Sequence, residues 1–224
     1  MSAGDIIATP SPNFDPREDG TPIDMLVLHY TGMRSADAAL ERLCDPDAEV
    51  SAHYLIDEDG AVHRLVPEEL RAWHAGVSFW RGNTGINGRS IGIELVNPGH
   101  EFGYRPFPEP QMQALIGLAV GILERHPIPA RNVVGHSDVA PDRKEDPGEL
   151  FDWPRLAGRG IGIWPAPETG AGGDAMTMLA EYGYDITAET VVAAFQRHFQ
   201  PHKVDGVMDD ETRALLGGLL RAIA

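Results

Sequence analysis

The stretch DMLVLHY, from Asp24 to Tyr30, is a nearly continuous apolar run that ends on a histidine and a tyrosine. Its length and its lack of helical periodicity predict a buried β-strand. Two further runs, residues 90–96 (SIGIELV) and 132–135 (NVVG), predict strands of the same kind. Residues 108–125 place apolar side chains on one stripe, which predicts a long helix between the second and third of these strands. This alternation predicts an α/β fold, with a mixed central sheet that is covered by helices.

Shorter elements are predicted on both sides of the first strand. Residues 1–22 contain prolines and show no periodicity, which indicates an arm on the surface. Residues 36–43 follow a serine cap and predict a helix. Residues 50–57 and 61–66 flank a Glu-Asp-Gly turn and predict a β-hairpin. Loops are predicted at residues 67–88 and 137–150.

The C-terminal part of the chain has a different pattern. Residues 158–173 (GRGIGIWPAPETGAGG) contain six glycines and two prolines, which predict a linker. We therefore predict one domain at residues 1–157 and a second, smaller domain at residues 174–224. In the second domain the pattern is helical throughout, and it predicts three short helices at residues 176–184, 188–199 and 209–223.

The charge balance excludes several classes of partner. With 34 acidic and 18 basic residues, the chain of 224 residues has a formal net charge of −16, which argues against binding of nucleic acids or anionic membranes. No stretch of 18 apolar residues occurs, so no membrane span is expected. The segment Met1–Asp5 lacks a basic patch followed by an apolar run, so a cytoplasmic location is expected, with the periplasm or cell envelope as the alternative if a leader has been removed from the sequence. Cys44 is the single cysteine, and a packed or idle thiol is the favoured interpretation.

Two histidines follow apolar strands, and a carboxylate comes shortly after the second of them. His29 comes near the end of the first strand, His136 follows the strand at 132–135, and Asp146 lies ten residues further on. Two histidines and one carboxylate leave one position open on a tetrahedral zinc ion, as in catalytic zinc sites. Most histidines are surface or packing residues, and these two are 107 residues apart, so spacing alone does not establish a metal site.

Two charged residues are candidates for the chemistry beside such a metal. Glu94 lies inside the apolar strand at 90–96, where a glutamate is costly unless it is paired or has a function. It could be a general base or acid, or an outward-facing residue on a half-exposed strand. Lys144 lies two residues before Asp146 and could stabilise an oxyanion, or be a solvated loop lysine.

Six short segments occur in order between residues 28 and 148. They are LHYT (28–31), SAHYLI (51–56), AWHAG (72–76), SIGIEL (90–95), GHSDVAP (135–141) and RKEDPG (143–148). In these segments the chain resembles the type-2 N-acetylmuramoyl-L-alanine amidases, zinc enzymes that share a fold with the peptidoglycan-recognition proteins. The resemblance covers about residues 20–157. Its most specific part is residues 135–148.

The resemblance implies a role for each candidate residue. It implies zinc ligands at His29, His136 and Asp146. It also implies a catalytic glutamate at Glu94 and a cation near the scissile carbonyl at Lys144. The implied reaction is hydrolysis of the amide between the lactyl group of N-acetylmuramic acid and the L-alanine of the stem peptide.

The resemblance also implies contacts to the substrate. Arg143 would meet substrate carboxylates, and Trp73 and His74 would line the groove. Core packing under their loop is an equal alternative for Trp73 and His74. At residues 87–89 (NGR) the chain departs from some cytoplasmic members, which carry a cysteine-containing segment there. That departure leaves the substrate subclass open.

The C-terminal helices resemble the small three-helix peptidoglycan-binding domain, in residues 183–184, 194–199 and 205–212. If a glycine-rich linker tethers such a domain to the amidase part, its effect would appear on peptidoglycan polymer. A chain that ends near residue 160 would then still cleave small muropeptides. The alternative is that the three helices pack against the amidase and shape its groove, because a unit this small is short of core.

Other functions remain open at this point. The chain could be a recognition protein that binds muropeptides without cutting them, or a zinc peptidase that cuts within the stem peptide. Among amidase functions, the expected lack of a leader favours recycling of soluble anhydro-muropeptides, and the C-terminal helices favour intact wall. We expect zinc as the cofactor, peptidoglycan fragments or polymer as the partner, and recycling as the first of the two uses.

Overall fold

The architecture is that of a computed structural model, which describes residues 6–168, 170 and 172–224. Its strands are β1 (Ile7–Ala8), β2 (Phe14–Pro16), β3 (Met25–Tyr30), β4 (Tyr54–Ile56), β5 (Val62–Arg64), β6 (Leu70–Ala72), β7 (Ser90–Leu95) and β8 (Val133–Gly135). Its helices are α1 (Ala36–Cys44), α2 (Ile86–Arg89), α3 (Gly99–Phe102), α4 (Glu109–Arg125), α5 (His136–Val139), α6 (Trp153–Ala157), α7 (Ala175–Tyr182), α8 (Val191–Phe199) and α9 (Asp210–Ile223). The expectation based on Met1–Asp5 lies outside the described residues.

A mixed sheet with the strand order β1-β5-β4-β7-β3-β8 lies at the centre of the fold. Strand β3 is parallel to β7 and to β8, and β7 is parallel to β4. Strands β4 and β5 form the antiparallel hairpin that the sequence predicts, and β5 pairs in parallel with β1. The prediction of an α/β fold with a mixed, helix-covered sheet is therefore confirmed.

Strand β3 lies between two parallel neighbours, and its residues Met25–Leu28 are fully buried. A strand that is covered on both faces needs a continuous apolar run, which explains the sequence MLVL. Leu26 and Leu28 belong to the apolar cluster that includes α4. Met25 and Val27 alternate with them and belong to a second cluster, which includes residues of α7, α8 and α9. The C-terminal helices therefore supply part of the second layer around the sheet.

Helix α4 covers the first face of the sheet, and its bounds agree with the predicted helix to within one residue. Its buried stripe packs into the same cluster as Leu26 and Leu28. The residues of the stripe follow the helical spacing, and they are Met112, Leu115, Ile116, Ala119 and Ile122. Full burial of one aliphatic side chain of this size contributes about 1.5–3 kcal/mol.

The C-terminal end of α4 is fixed by Glu68, from the segment between β5 and β6. The carboxylate accepts hydrogen bonds from Arg125 (Nη2, 2.6 Å) and Tyr54 (Oη, 2.7 Å), and it pairs with His126 (Nε2, 2.6 Å). Burial alone would raise the pKa of Glu68, but these hydrogen bonds outweigh burial and lower the pKa to about 2. The charged Glu68 carboxylate thus joins the end of α4 to Tyr54 of the β-hairpin.

The predicted N-terminal arm contains two short strands, β1 and β2, which pair with β5 and β6. The half-buried guanidinium of Arg17 fixes this arm, because it donates to the backbone oxygens of Glu68, Gly88 and Ser90. The predicted loop at residues 67–88 likewise contains β6 and α2. The local sequence pattern does not predict these short strands and this helix, because the residues that they contact are distant in sequence.

The three predicted C-terminal helices occur as α7, α8 and α9, and they pack onto the rest of the chain. Trp80 lies edge-on to Tyr182 and Tyr184, with ring centroids 5.8 and 5.0 Å apart. One apolar cluster continues from Val134 in the sheet to Phe195 in α8. These contacts favour the alternative in which the helices pack against the amidase part.

Part of the predicted linker is also packed. Ile161 is fully buried, and the Glu168 amide donates to the Ala214 carbonyl of α9 at 2.8 Å. At Gly218 of α9, a Cβ atom would lie 2.0 Å from the Ala166 carbonyl oxygen, so this close approach requires glycine. Residues 169 and 171 lie outside the described part. The domain limits 1–157, 158–173 and 174–224 stay a prediction.

Candidate active site

The parallel strands β3, β7 and β8 end at the same edge of the sheet, and each brings a polar side chain there. In the register of the sheet His29 lies opposite Glu94, and Leu28 lies opposite Gly135, which directly precedes His136. The structure therefore brings together residues that are 107 positions apart in sequence. Ligand-binding residues commonly follow the carboxyl ends of parallel strands.

His29, His136 and Asp146 are buried and form one cluster. The Nδ1 atoms of the two histidines are 2.9 Å apart, and the Asp146 Oδ2 atom lies 3.0 Å from the first and 3.1 Å from the second. A tetrahedral zinc ion with ligands at about 2.0–2.1 Å separates them by roughly 3.3 Å. The three atoms thus have nearly the spacing of one face of such a coordination shell.

The protonation of His136 follows from its second nitrogen. His136 Nε2 lies 3.1 Å from the Ala75 carbonyl oxygen, which can only accept a hydrogen bond. Nε2 must therefore carry the proton. In the neutral ring Nδ1 then presents a lone pair to the cluster.

A chain of hydrogen bonds sets the tautomer of His29 in the same way. The Ser90 hydroxyl donates to the Ile86 carbonyl (2.7 Å), so His74 Nε2 must donate to Ser90 Oγ (3.0 Å). His74 Nδ1 then accepts from His29 Nε2 (3.0 Å), which leaves a lone pair on His29 Nδ1. Burial lowers the pKa of His29 to about 4, and the nearby His136 acts in the same direction.

Three electron pairs therefore meet with no proton between them. Such an arrangement is repulsive unless a cation lies at the centre, and two imidazole nitrogens with one carboxylate oxygen suit zinc. The donor set of this chain thus fits the zinc ion that its sequence predicts. The hydrogen bonds of the outer nitrogens orient both rings, as is usual for histidine ligands.

Glu94 lies beside this cluster, and its Oε2 atom is buried with no hydrogen-bond partner among the described residues. Burial raises the pKa of Glu94 well above its usual value, and the charge of Asp146 adds to this effect, while Lys144 opposes it. A carboxyl group with a raised pKa and a free oxygen is suited to accept and release a proton.

A cleft of about 410 Å³ opens in front of these residues. Lys144 and Arg143 line it, and their roles toward a substrate stay predictions. The Arg143 guanidinium also donates to the carbonyl oxygens of Val77 (from Nε, 3.1 Å) and Ala75 (from Nη2, 3.2 Å). Arg143 therefore joins the loop of Ala75 to the loop of Asp146.

The structure gives Trp73 and His74 different surroundings. Trp73 does not line the cleft, and its backbone amide donates to the Ser51 hydroxyl at 2.9 Å. His74 is buried, and although it reaches the cleft, both of its ring nitrogens are taken by His29 and Ser90. These contacts favour structural roles for both residues, and substrate binding by either stays a prediction.

Sequence reasoning missed several residues that shape the site. Tyr30 and Arg42 line the cleft, and burial raises the pKa of Tyr30 to about 12. Ser90 fixes the tautomer of His74 from the first position of β7. The position of Tyr30 directly after His29 is a signal that could have been used, whereas the role of Ser90 depends on contacts across the fold.

The structure also bears on the expectations for Cys44 and for membrane-spanning helices. Cys44 is a free, half-buried cysteine at the end of α1, and burial raises the pKa of its thiol, which agrees with an idle thiol. Among the described residues, no helix has the length and apolarity needed to cross a membrane.

The fold and the site together define a class of protein, the metal-dependent hydrolases. The family model of the N-acetylmuramoyl-L-alanine amidases (Amidase_2) matches residues 19–149. This chain belongs to the N-acetylmuramoyl-L-alanine amidase family, and it is an enzyme, as its motifs predict.

Two curated relatives illustrate the range of the family. The chain is 41% identical to the N-acetylmuramoyl-L-alanine amidase AmiD of Escherichia coli, over 88% of this chain and 82% of the relative. It is 38% identical to the 1,6-anhydro-N-acetylmuramyl-L-alanine amidase AmpD of Salmonella typhimurium, over 66% of this chain and 86% of the relative. The match to AmiD thus extends over more of the chain than the match to AmpD.

Solved structures agree with the fold. The complex of Escherichia coli AmiD with anhydro-N-acetylmuramic acid-L-Ala-D-γ-Glu-L-Lys superposes with a TM-score of 0.80 and 40% identity, and covers 92% of both chains. AMPDH3 of Pseudomonas aeruginosa, in complex with an anhydromuramic pentapeptide, gives a TM-score of 0.82 and 35% identity, over 90% of this chain and 92% of the other.

Proposed function

We propose that this chain hydrolyses the amide between the lactyl group of 1,6-anhydro-N-acetylmuramic acid and the L-alanine of the stem peptide. We further propose that His29, His136 and Asp146 hold one zinc ion for this reaction. The observation that carries the proposal is the convergence of three lone pairs beside the unpartnered oxygen of Glu94.

The residues of the chain divide the chemistry among them. Zinc, when bound, supplies Lewis acidity toward the scissile carbonyl and the attacking water. Glu94 takes the proton from that water and returns it to the alanine nitrogen as the bond breaks. Lys144 donates to the oxygen that becomes negative in the tetrahedral transition state.

Other residues hold this arrangement in place. His74 and Ser90 orient the His29 ring, and the Ala75 carbonyl orients the His136 ring. Arg143 braces the loop that carries Lys144. Its guanidinium lines the cleft and is also available to carboxylates of the stem peptide.

The anhydro form of the sugar is the proposed substrate because of what related proteins bind. AmiD and AMPDH3 hold anhydromuramyl peptides in solved complexes. The cleft is lined by three cations, Arg42, Arg143 and Lys144, beside the carboxyl groups of Glu94, Glu145 and Asp146. The cations are available to carboxylates of the stem peptide. Use in muropeptide recycling and a cytoplasmic location are part of the same proposal.

Analysis of the products tests the reaction. Mass spectrometry of digested anhydro-muropeptides is expected to show an intact free stem peptide. Release of D-alanine instead would identify a peptidase that cuts within the stem, and the absence of any cleavage would identify a binding protein. Parallel digestion of whole sacculi compares intact wall with soluble fragments, and faster release from sacculi would contradict the proposed preference.

Metal analysis tests the zinc site. The parent chain is expected to hold one zinc ion, and His136→Ala is expected to lose it. Full zinc occupancy in His136→Ala would overturn the assignment. The control is His202→Ala, which removes an exposed histidine of the C-terminal part and is expected to leave the zinc content unchanged.

A further inference from the structure

A buried carboxylate outside the proposed ligand set lies two residues after His136. Asp138 is 1% exposed and accepts three hydrogen bonds. The donors are the Gly135 amide (2.7 Å to Oδ2), His198 Nδ1 (2.7 Å to Oδ2) and the Tyr184 hydroxyl (2.6 Å to Oδ1). A buried carboxylate with three donors is firmly placed, because the loss of any one donor leaves part of its charge unsatisfied.

Two of these donors come from the C-terminal part of the chain, and both are rigid. The His198 ring of α8 stacks between Trp153 and Phe199, with ring centroids 3.7 and 3.8 Å away. Tyr184 is buried and packs edge-on against Trp80. The C-terminal helices therefore present two fixed donors to a carboxylate of the metal-binding segment.

Helix α8 contacts the same segment at two more places. At its beginning, the Thr190 amide and hydroxyl donate to Asp142, each at 2.9 Å. Near its end, Arg197 donates to Glu145 at 3.2 Å. These exposed pairs contribute little individually. They show, however, that α8 runs along the segment from Asp138 to Glu145.

The position of Asp138 affects both proposed ligands of this segment, His136 and Asp146. His136 is the first residue of α5, and Asp138 caps that helix by accepting from the Gly135 amide. The Ser137 amide donates to the Asp146 carbonyl at 2.9 Å, so the second ligand is attached to the same short helix. A displaced Asp138 would therefore move His136 and Asp146 relative to His29.

We propose that Tyr184 and His198 are positioning residues of the metal centre, which they hold through Asp138, so that the C-terminal helices form part of the zinc site. This inference rests on the proposed zinc ligands His29, His136 and Asp146. It assigns the helices a role in building the catalytic centre, separate from any binding of wall polymer.

The test measures zinc affinity in the full-length chain. Tyr184→Phe removes a single oxygen atom, and His198→Leu removes the imidazole donor. Each is expected to weaken the zinc Kd about 10- to 100-fold, the usual effect of losing a partner of a metal site. Zinc binding is measured by competition with a zinc indicator, and the Tm of the metal-free chain is recorded in parallel.

Conservative and matched variants separate positioning from general stability. His198→Asn keeps an N–H group close to the Nδ1 position and is expected to restore most of the affinity. Tyr182→Phe removes a hydroxyl from the same aromatic cluster; among the described hydrogen bonds of Asp138, none comes from Tyr182. The Tyr182→Phe variant is expected to leave the zinc Kd unchanged. Amidase activity that is lost in Tyr184→Phe is expected to return at saturating zinc.

The outcomes are distinguishable. If Tyr184→Phe and His198→Leu bind zinc within about twofold of the parent while the Tm falls, the two residues serve only stability and the inference is wrong. If His198→Leu fails to fold, Tyr184→Phe decides. If His29→Ala also retains full zinc affinity, the proposed ligand set itself fails, which is a different result from failure of the positioning role.

Discussion

Glu94 combines a raised pKa with a buried oxygen that has no hydrogen-bond partner in the described part of the chain. The proposed metal ligands Asp146 and His29 lie close to it, and their own ligand atoms converge on each other at 3.0 Å. In the proposed mechanism proton transfer and metal binding are carried by different side chains, so single substitutions can separate them.

Glu94→Gln is expected to retain zinc and the fold, and to lose about 10²- to 10⁴-fold in kcat, the usual contribution of a general base. Steady-state kinetics with an anhydro-muropeptide and metal analysis of the same preparation check this. Glu101→Gln changes an exposed glutamate of α3 and is the matched control. Near-normal turnover in Glu94→Gln would show that another group transfers the proton.

Ser90→Ala is expected to weaken zinc binding about 10-fold or more, because His74 loses the acceptor that fixes its tautomer and no longer orients His29. Ser51→Ala serves as the control, since Ser51 is equally buried and bonds to Asn13 and Trp73 instead. Competition with a zinc indicator measures both variants. Equal zinc affinities for the two would show that the hydrogen-bond chain behind His29 does not support the metal.

Among the secondary-structure elements, α4 is joined at its end to the segment between β5 and β6 through Glu68, which pairs with Arg125 and His126. Glu68 has a lowered pKa in the folded chain, about 2, against about 4.3 when unfolded. Its contribution to stability is therefore fully present above pH 4.3 or so and is lost as the pH falls toward 2.

Glu68→Gln is expected to lower the free energy of unfolding by about 1–2 kcal/mol at pH 7, where the charged hydrogen bonds to Arg125 and Tyr54 are intact. The difference between variant and parent should shrink as the pH falls from 5 to 3. Urea unfolding across this range measures it, with the exposed Glu69→Gln as the control. A difference that is independent of pH would show that packing, and not charge, gives Glu68 its effect.

The elements that the sequence predicts well are those whose signal is local. The continuous apolar run of β3, the stripe of α4 and the patterns of α7–α9 all appear within a few residues of their predicted bounds. Strands β1, β2 and β6 were missed because each is two or three residues long and exists only through pairing with a distant partner. The hydrogen bonds that Arg17 donates across the fold cannot be recognised in a short stretch of sequence.

In the molecule as a whole, the C-terminal helices complete a layer of the core. Trp80, Val134 and Val139 share an apolar cluster with residues of α7, α8 and α9. Removal of these helices would expose this face of the sheet to water. The glycine-rich composition of residues 158–173 suggested a tether, because composition does not reveal that Ile161 and Glu168 have partners in the core and in α9.

A chain that ends near residue 160 is therefore expected to lose more than about tenfold in activity on a small soluble muropeptide, or about 1.4 kcal/mol of transition-state stabilisation. The cause is the loss of the apolar cover and of the donors to Asp138. The control is the full-length Arg221→Gln, which removes only a surface ion pair with Glu168. Full activity of the truncated chain would support the tether after all.

The site itself was more predictable than its support. The three proposed ligands, Glu94 and Lys144 stand in motifs that resemble those of a known family. The structure brings His29, His136 and Asp146 into one cluster, and Glu94 and Lys144 line the cleft beside it. Ser90, Asp138, Tyr184 and His198 also lie in segments that resemble known families. Their supporting role nevertheless comes from contacts between distant parts of the chain, which those segments alone do not reveal.

The central place of β3 has a consequence for the order of events during synthesis. Its neighbours β7 and β8 follow about 60 and 100 residues later in the chain, and the helices over Met25 and Val27 come after both. The apolar segment MLVL therefore has no parallel neighbour until β7 has been made, and one of its faces stays uncovered until α7–α9 follow. An apolar segment exposed in this way is prone to aggregation until its partners arrive.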